Sequence, residues 1–211
     1  GAVVLGTKFN VKAFLEGPYD TTNYVHYTYL NSGLYLPIEQ PYDAEPWHLY
    51  MGDEAVESIP NADVVDWVLL GLRVTNDGPA EADTTTTIAT RACFITEDGT
   101  ITDLDGEDPV MFGLAINDDV YVTVAHRNHL AIMSANALTY NLVNGFIVYT
   151  YDFTDGQSKA YEDGLKPLVG GKYGMYAGDA DGNGDVNMTD FIDIWWAQFG
   201  SLGYYNGDFD L

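Results

Sequence analysis

Twelve residues near the C-terminus hold the densest chemistry in the chain: Asp179-Ala-Asp181-Gly-Asn183-Gly184-Asp185-Val186-Asn187-Met-Thr-Asp190. Oxygen-bearing side chains stand at loop positions one, three, five, nine and twelve, with Gly184 at six and Val186 at eight. Ca²⁺ takes about six to eight oxygen ligands, and a twelve-residue loop with glycine at its sharp turn wraps them around the ion. The expected ligand set is therefore Asp179, Asp181, Asn183, the backbone carbonyl of Asp185, Asn187 directly or through a water, and Asp190. The side chains of Asp179, Asp181, Asp185 and Asp190 also put four negative charges into one loop, and these repel unless a cation sits among them. Position twelve is Asp where helix-loop-helix calcium sites usually carry Glu. A one-oxygen contact, or a loop drawn inward, is expected there.

Other constellations are weaker. His126 and His129 have a spacing possible for two zinc ligands, but no third ligand is evident nearby in sequence. Strand-end histidines hydrogen-bonded to neighbours such as Arg127 and Asn128 are the expectation. No Gly-x-Ser-x-Gly elbow occurs, and Cys93 has no obvious histidine partner. Cys93 sits in the apolar run Ala92-Cys93-Phe94-Ile95, which suits a buried structural thiol. Among 32 acidic residues some pair will always resemble a glycosidase couple, so no enzyme is expected. Asp20-Thr21-Thr22 and Asp83-Thr84-Thr85 match a short pattern used for bacterial O-glycosylation, which makes Thr21 and Thr84 candidate sites for attached glycans. Asn187-Met-Thr189 reads as an N-glycosylation sequon, but Asn187 is wanted by the calcium loop.

Charge and composition set the class. The 211 residues include 8 Lys+Arg against 32 Asp+Glu, for a formal net charge of −24. Eight dispersed cations cannot make the basic footprint that nucleic-acid binding requires. With 46% hydrophobic residues the chain can bury a real core. No apolar run approaches the ~20 residues of a membrane span, so no membrane insertion is expected. One cysteine permits no internal disulfide. A start at Gly1 is what a removed signal peptide, an expression scar or unseen preceding residues would leave. The acidity suits an extracellular protein, secreted or on a bacterial surface, where dissolved cations screen repulsion.

The elements that must position these groups are strands. Val3, Leu5, Thr7, Phe9, Val11, Ala13 and Leu15 alternate with Gly6, Lys8, Asn10 and Lys12, a period of two that ends at Gly17-Pro18. Such a run exceeds the usual ~3–10 residues of a strand and predicts two collinear strands, or one whose first half belongs elsewhere. Residues 18–62 read as an irregular aromatic-rich connection, with Tyr24, Tyr27, Tyr29, Tyr35, Tyr42, Trp47 and Tyr50, packed as an ordered flap. Val64–Val74 predicts a strand buried on both faces. Further strands are expected at 86–96, 100–104, 110–114, 120–125, 130–134, 138–142 and 146–152, with turns at Asp98-Gly99 and Asn144-Gly145. Residues 189–199 read as a helix ended by Gly200. The expected architecture is an all-β, immunoglobulin-like sandwich over 17–175, an N-terminal strand over 1–16, and a calcium loop with helix over 176–211.

The loop Asp179–Asp190, opening a helix and closing on Asp, resembles one repeat of a bacterial dockerin. A dockerin carries two repeats; a second would start at Asp208-Phe209-Asp210, where the sequence reaches only Leu211. The runs Phe14-Leu-Glu-Gly-Pro-Tyr, Gln40-Pro-Tyr, Val64-Val-Asp-Trp-Val-Leu and His126-Arg-Asn-His-Leu-Ala-Ile-Met-Ser resemble a domain of uncharacterised secreted bacterial proteins that often precedes dockerin-like tails. Chains of this type also resemble protomers of extracellular pilus-like fibrils, in which an N-terminal strand completes the domain of another subunit. That resemblance implies copies of the chain itself as partner in a helical fibril. Val3, Leu5, Thr7 and Phe9 would be the donor strand's side chains, and Ca²⁺ the structural ion. A carbohydrate-binding or scaffold-docking module of a bacterial surface protein is the competing expectation.

Overall fold

A computed structural model describes residues 6–44 and 50–211; Val3, Leu5 and Trp47 fall outside that range. Among the described residues thirteen strands follow in chain order: β1 Gly6–Lys12, β2 Tyr19–Asp20, β3 Val25–His26, β4 Val64–Val74, β5 Thr87–Thr96, β6 Thr100–Thr102, β7 Val110–Phe112, β8 Val120–His126, β9 His129–Met133, β10 Tyr140–Val143, β11 Phe146–Asp152, β12 Lys166–Leu168 and β13 Lys172–Gly174. Nine of them form one curled sheet in the order β10-β11-β1-β6-β5-β4-β8-β9, with β7 also pairing β1. The chain is all-β in character. Every pairing in this sheet is antiparallel except β1 with β11, which run parallel from Gly6↔Phe146 to Lys12↔Asp152.

The run Val64–Leu72 is buried at every residue, so β4 needs cover on both faces. Part of that cover comes from the aromatic-rich connection, which contributes Leu30, Leu36 and Tyr42 to the core. Three hydrogen bonds fasten this flap to β4. Asn31 Nδ2 donates to the Val64 carbonyl (3.0 Å), Trp67 Nε1 donates to the Pro37 carbonyl (2.9 Å), and the Tyr42 hydroxyl donates to the Trp67 carbonyl (2.7 Å). Trp67, fully buried, packs on Phe94 at 4.2 Å between ring centroids.

The N-terminal alternation divides in two. Thr7, Phe9 and Val11 point into the core from β1, with Phe9 stacked on Tyr149 of β11 at 5.0 Å. The pattern then continues through Ala13 and Leu15 without sheet pairing to β11, and Leu15 bridges Met175 instead. The boundary expected near residue 175 is thus a place where the chain is bound on both sides: the Met175 N–H donates to the Phe14 carbonyl (2.7 Å) and Ala177 bridges His129 of β9. Leu211 lies in the main core. The helix expected over 189–199 is a π-helical turn, Asp190–Trp195, followed by one α-turn, Trp196–Gln198, and Gly200 leaves it at φ 79°. Among the described residues no helix is long and apolar enough to cross a membrane.

Gly17 shows how closely the tail is laid down. A Cβ placed there would stand 1.7 Å from the Phe209 carbonyl oxygen, so the tail rests directly on the Gly17 backbone. Gly17→Ala is expected to lift residues 207–211 and cost about 1–3 kcal/mol, as overpacking does. Urea unfolding compared with Gly113→Ala, where the added Cβ meets nothing within 4 Å, checks it.

Candidate metal centre and the buried network beneath it

The loop opens where β9 begins. Gly178 adopts φ 120°, and its N–H donates to the Asn128 carbonyl (2.8 Å), which aims Asp179 inward. Asp190 closes the loop from the first turn of the π-helix. Its Oδ1 accepts from the N–H groups of Ala180 (2.8 Å) and Asp181 (3.3 Å), and its Oδ2 from that of Asn187 (2.8 Å). Asp179 Oδ2 accepts from the Gly184 N–H (3.2 Å). This folding brings carboxylate oxygens of Asp179, Asp181 and Asp190 within 4.8 Å of one another, an arrangement that could hold a metal ion.

Two of these carboxylates are almost sealed, Asp179 at 4% and Asp190 at 2% exposure. Asp179 Oδ1 is buried with no hydrogen-bond partner. Burial, followed by the charges of Asp190 and Asp181, pushes the Asp179 carboxyl above its ordinary range, although the Gly184 N–H opposes the shift. A buried acceptor without a donor costs about 1–3 kcal/mol, and more when charged. A cation between the three carboxylates removes that cost.

The other expected ligands stand exposed on the same loop. Asn183 donates from Nδ2 to Asp181 Oδ2 (2.7 Å), while its Oδ1 accepts from the Asp185 N–H (2.8 Å). Asn187 Oδ1 accepts from the Thr189 N–H (2.8 Å) at the start of the helix. Asp185 is likewise exposed. Of the remaining sequence candidates, Thr21 lies in the exposed turn between β2 and β3, and Thr84 opens an exposed 3₁₀ turn after Asp83.

Beneath the loop lies a polar network centred on Asp66 of β4, a residue with no exposed surface. Its Oδ2 accepts from Arg127 Nε (3.0 Å) and meets His126 Nε2 at 3.1 Å, while its Oδ1 accepts from the Tyr204 hydroxyl and the Trp67 N–H, both at 2.7 Å. Burial alone would raise this carboxyl; Arg127, His126 and Tyr204 outweigh it and hold it at about 2. His126 and His129 end β8 and begin β9, joined by the two-residue turn Arg127-Asn128. Hairpin tips are ordinarily wet, but both of these turn residues are fully buried. The tail covers them: Asn128 Nδ2 donates to the carbonyls of Asn206 (3.1 Å) and Asp208 (2.6 Å), Arg127 donates to the Tyr205 carbonyl, and its guanidinium lies 4.2 Å from the Tyr204 ring centre.

Proton positions follow from the partners. His129 Nε2 accepts from the Gly17 N–H (3.3 Å), so its Nδ1 carries the proton and faces Asn128 Oδ1 (2.8 Å) and His126 Nδ1 (2.9 Å). His126 Nδ1 is then the acceptor and its Nε2–H donates to Asp66. The two imidazoles point Nδ1 at Nδ1 as a hydrogen bond, which leaves no shared zinc seat between them. His26 is a third neutral case, accepting the Leu15 N–H at Nε2 (2.8 Å) and facing the Thr96 carbonyl with Nδ1 (3.1 Å). Burial lowers all three, His26 to about 4 and His129 well below the ordinary range. The expectation of hydrogen-bonded strand-end histidines therefore meets a deeper arrangement. Asp66, Tyr204 and His26 were not singled out in the sequence. The signal for Asp66 was a lone acid inside the apolar run 64–72.

No protein-family model, curated protein or solved structure matches this chain.

Burial holds the folded pKa values of the three histidines below the unfolded value near 6.5, so as the pH falls through that value the unfolded chain takes up more protons than the folded one. Stability they permit is present above that value and lost as the pH falls below it, each contributing a slope of up to about 1.4 kcal/mol per pH unit. Urea unfolding in excess chelator between pH 6.5 and 5.5 should show a slope steeper than one histidine can give. A slope below that of one proton would mean that the network is protonated while folded.

Proposed function

We propose that this chain is a structural subunit of an extracellular, pilus-like fibril, assembled when the N-terminal segment of one copy completes the immunoglobulin-like fold of another. The observation that carries the reading is the phase of β1. Thr7, Phe9 and Val11 fill the chain's own core, and the sequence ahead of Gly6 continues the same phase with Val3 and Leu5. Residues 1–5 are then the donor segment, while Thr7 and Phe9 serve the subunit that carries them. Burying Val3 and Leu5 in a neighbour contributes about 1.5–3 kcal/mol each, added to main-chain hydrogen bonds. Donor and acceptor surfaces differ, so an unclosed rotation repeats the contact into a filament. Deleting residues 1–5 leaves β1 whole, whereas a cut through Lys8 would also remove paired residues of the chain's own sheet. The short deletion should abolish filaments in electron micrographs while leaving the thermal transition in place; filaments formed normally by the deleted chain would refute the reading.

In this reading the 179–190 loop is a dockerin-like site for structural Ca²⁺. Asp179, Asp181 and Asp190 supply carboxylates, and the unpartnered Asp179 Oδ1 is the acceptor that an ion would satisfy. All-oxygen donors suit a hard cation. Asn183, Asp185 and Asn187 complete the set by giving up turn contacts. At a free calcium concentration of about 100 Kd the ion adds about 2.7 kcal/mol. For a chain of this size that raises Tm by about 5–10 °C. Asp181→Ala should remove most of that calcium-dependent rise and leave the chelated protein unchanged, as differential scanning calorimetry with and without chelator would show.

The competing reading, a carbohydrate-binding or scaffold-docking module, is favoured by one feature. A cleft of about 470 Å³ is lined by Tyr29, Tyr35, Trp195, Phe199 and Tyr205, beside Asp208. Retention of the monomer on insoluble polysaccharide, lost in Trp195→Ala, would support it.

A further inference from the structure

The two ends of the main sheet are finished differently. At the β9 end, the Leu130 N–H donates to the Tyr176 carbonyl (2.9 Å), and Ser134 and His129 bridge Ala160 and Ala177, so the edge is covered. At the other end, β10 pairs only with β11 among the described residues, and all four of its residues are exposed. Open edges are normally blunted by charge, proline or cover. This one is Tyr-Asn-Leu-Val, with Tyr140 57%, Leu142 62% and Val143 47% exposed.

The register shows which face is uncovered. Tyr140 pairs with Tyr149, which pairs with Phe9; Leu142 pairs with Ile147, which pairs with Thr7. Tyr140 and Leu142 therefore lie on the face that Phe9 and Thr7 bury, where the core side of the sheet runs out into solvent. Tyr140 extends the aromatic row, 5.4 Å from Tyr149.

Charge points to the occupant. In a chain of net charge −24, two copies repel wherever acidic surfaces meet. The longest stretch without Asp or Glu is residues 120–151, which includes the whole of β10, and residues 1–15, which carry Lys8 and Lys12, are also free of acid. Tyr140 shares a cleft with Asp118 and Asp119, so an occupant that carries no acid is favoured at this apolar edge, and the segment Gly-Ala-Val-Val-Leu at 1–5 is apolar and carries none.

We propose that the β10 edge is the acceptor, and that residues 1–5 of a second copy add to it as the next strand, with Val3 and Leu5 extending the uncovered row of Tyr140 and Leu142. This rests on the assembly reading above and names the surface that receives the strand.

Complementation separates the two. Leu142→Lys keeps the donor and blocks the acceptor; deletion of residues 1–5 does the reverse. Each alone should stay monomeric in light scattering and electron microscopy, with the critical concentration for polymerisation raised at least tenfold. Met51→Lys, at a still more exposed apolar site, should polymerise normally. Mixing the two blocked proteins should give a discrete one-to-one dimer and no filament. If Leu142→Lys polymerises normally but the deletion does not, the donor reading stands and the β10 assignment falls. If the deletion polymerises, or the intact chain forms no filament, both fall. If Leu142→Lys blocks assembly but the mixture forms no dimer, β10 pairs with itself symmetrically and the proposal is overturned. Tyr140→Lys repeats the test should the first variant unfold.

Discussion

A carboxylate at Asp66 and a guanidinium at Arg127 meet at 3.0 Å with no exposed surface on either side chain. Taking both out of water costs several kcal/mol per ion, which their attraction offsets only when the remaining donors and acceptors are filled. Here His126, Tyr204 and the Trp67 N–H fill the carboxylate, and the Tyr204 ring and Tyr205 carbonyl face the guanidinium. Arg127 Nη2 alone is left without a partner. The pair cannot exist until β4, the β8–β9 turn and residues 204–205 are all in place. It therefore makes the C-terminal tail part of the fold, and breaking either partner would strand a buried charge at about 3–5 kcal/mol.

The metal loop inherits its position from this arrangement. Asn128 holds both ends of the excursion that contains it: its carbonyl receives the Gly178 N–H, and its side-chain amide reaches the carbonyls of Asn206 and Asp208. The loop and its aromatic helix are thus closed at the base by protein contacts before any ion enters. What an ion adds is neutralisation of Asp179, Asp181 and Asp190, which the fold has already brought together against their mutual repulsion. In the proposed calcium site, affinity would depend on local rearrangement of Asn183, Asp185 and Asn187, not on ordering the whole tail.

Local features were legible in the sequence and non-local ones were not. β4 and β11 lie at the expected bounds because an unbroken apolar run, and a run following Asn144-Gly145, declare themselves within a dozen residues. The acidic loop is equally local, and its carboxylates at positions one, three and twelve meet as the spacing predicts. The π-turn at Asp190–Trp195 was not foreseen, since the aromatic spacing there fits an α-helix as readily. The Asp66 network joins residues 61 and 138 positions apart, and no period or motif links Asp66 to Arg127 or Tyr204. Likewise the long N-terminal alternation could not reveal where pairing with β11 stops, because that depends on Met175 capturing Leu15.

The distribution of acid decides how such a molecule can meet its own kind. Every Asp and Glu lies within residues 16–119 or 152–211, and one bound Ca²⁺ changes the formal charge only from −24 to −22. Whole-molecule neutrality is therefore not available as a route to association. Screening limits the reach of the repulsion to about 8–10 Å in physiological salt, so only charges near a contact oppose it strongly. A contact between the β10 edge and residues 1–5 brings no acid of its own to a surface where Tyr140 shares a cleft with Asp118 and Asp119. In the proposed assembly the charge elsewhere on the surface would oppose pairing between acidic surfaces, so the acidity that hinders association in general would give it direction.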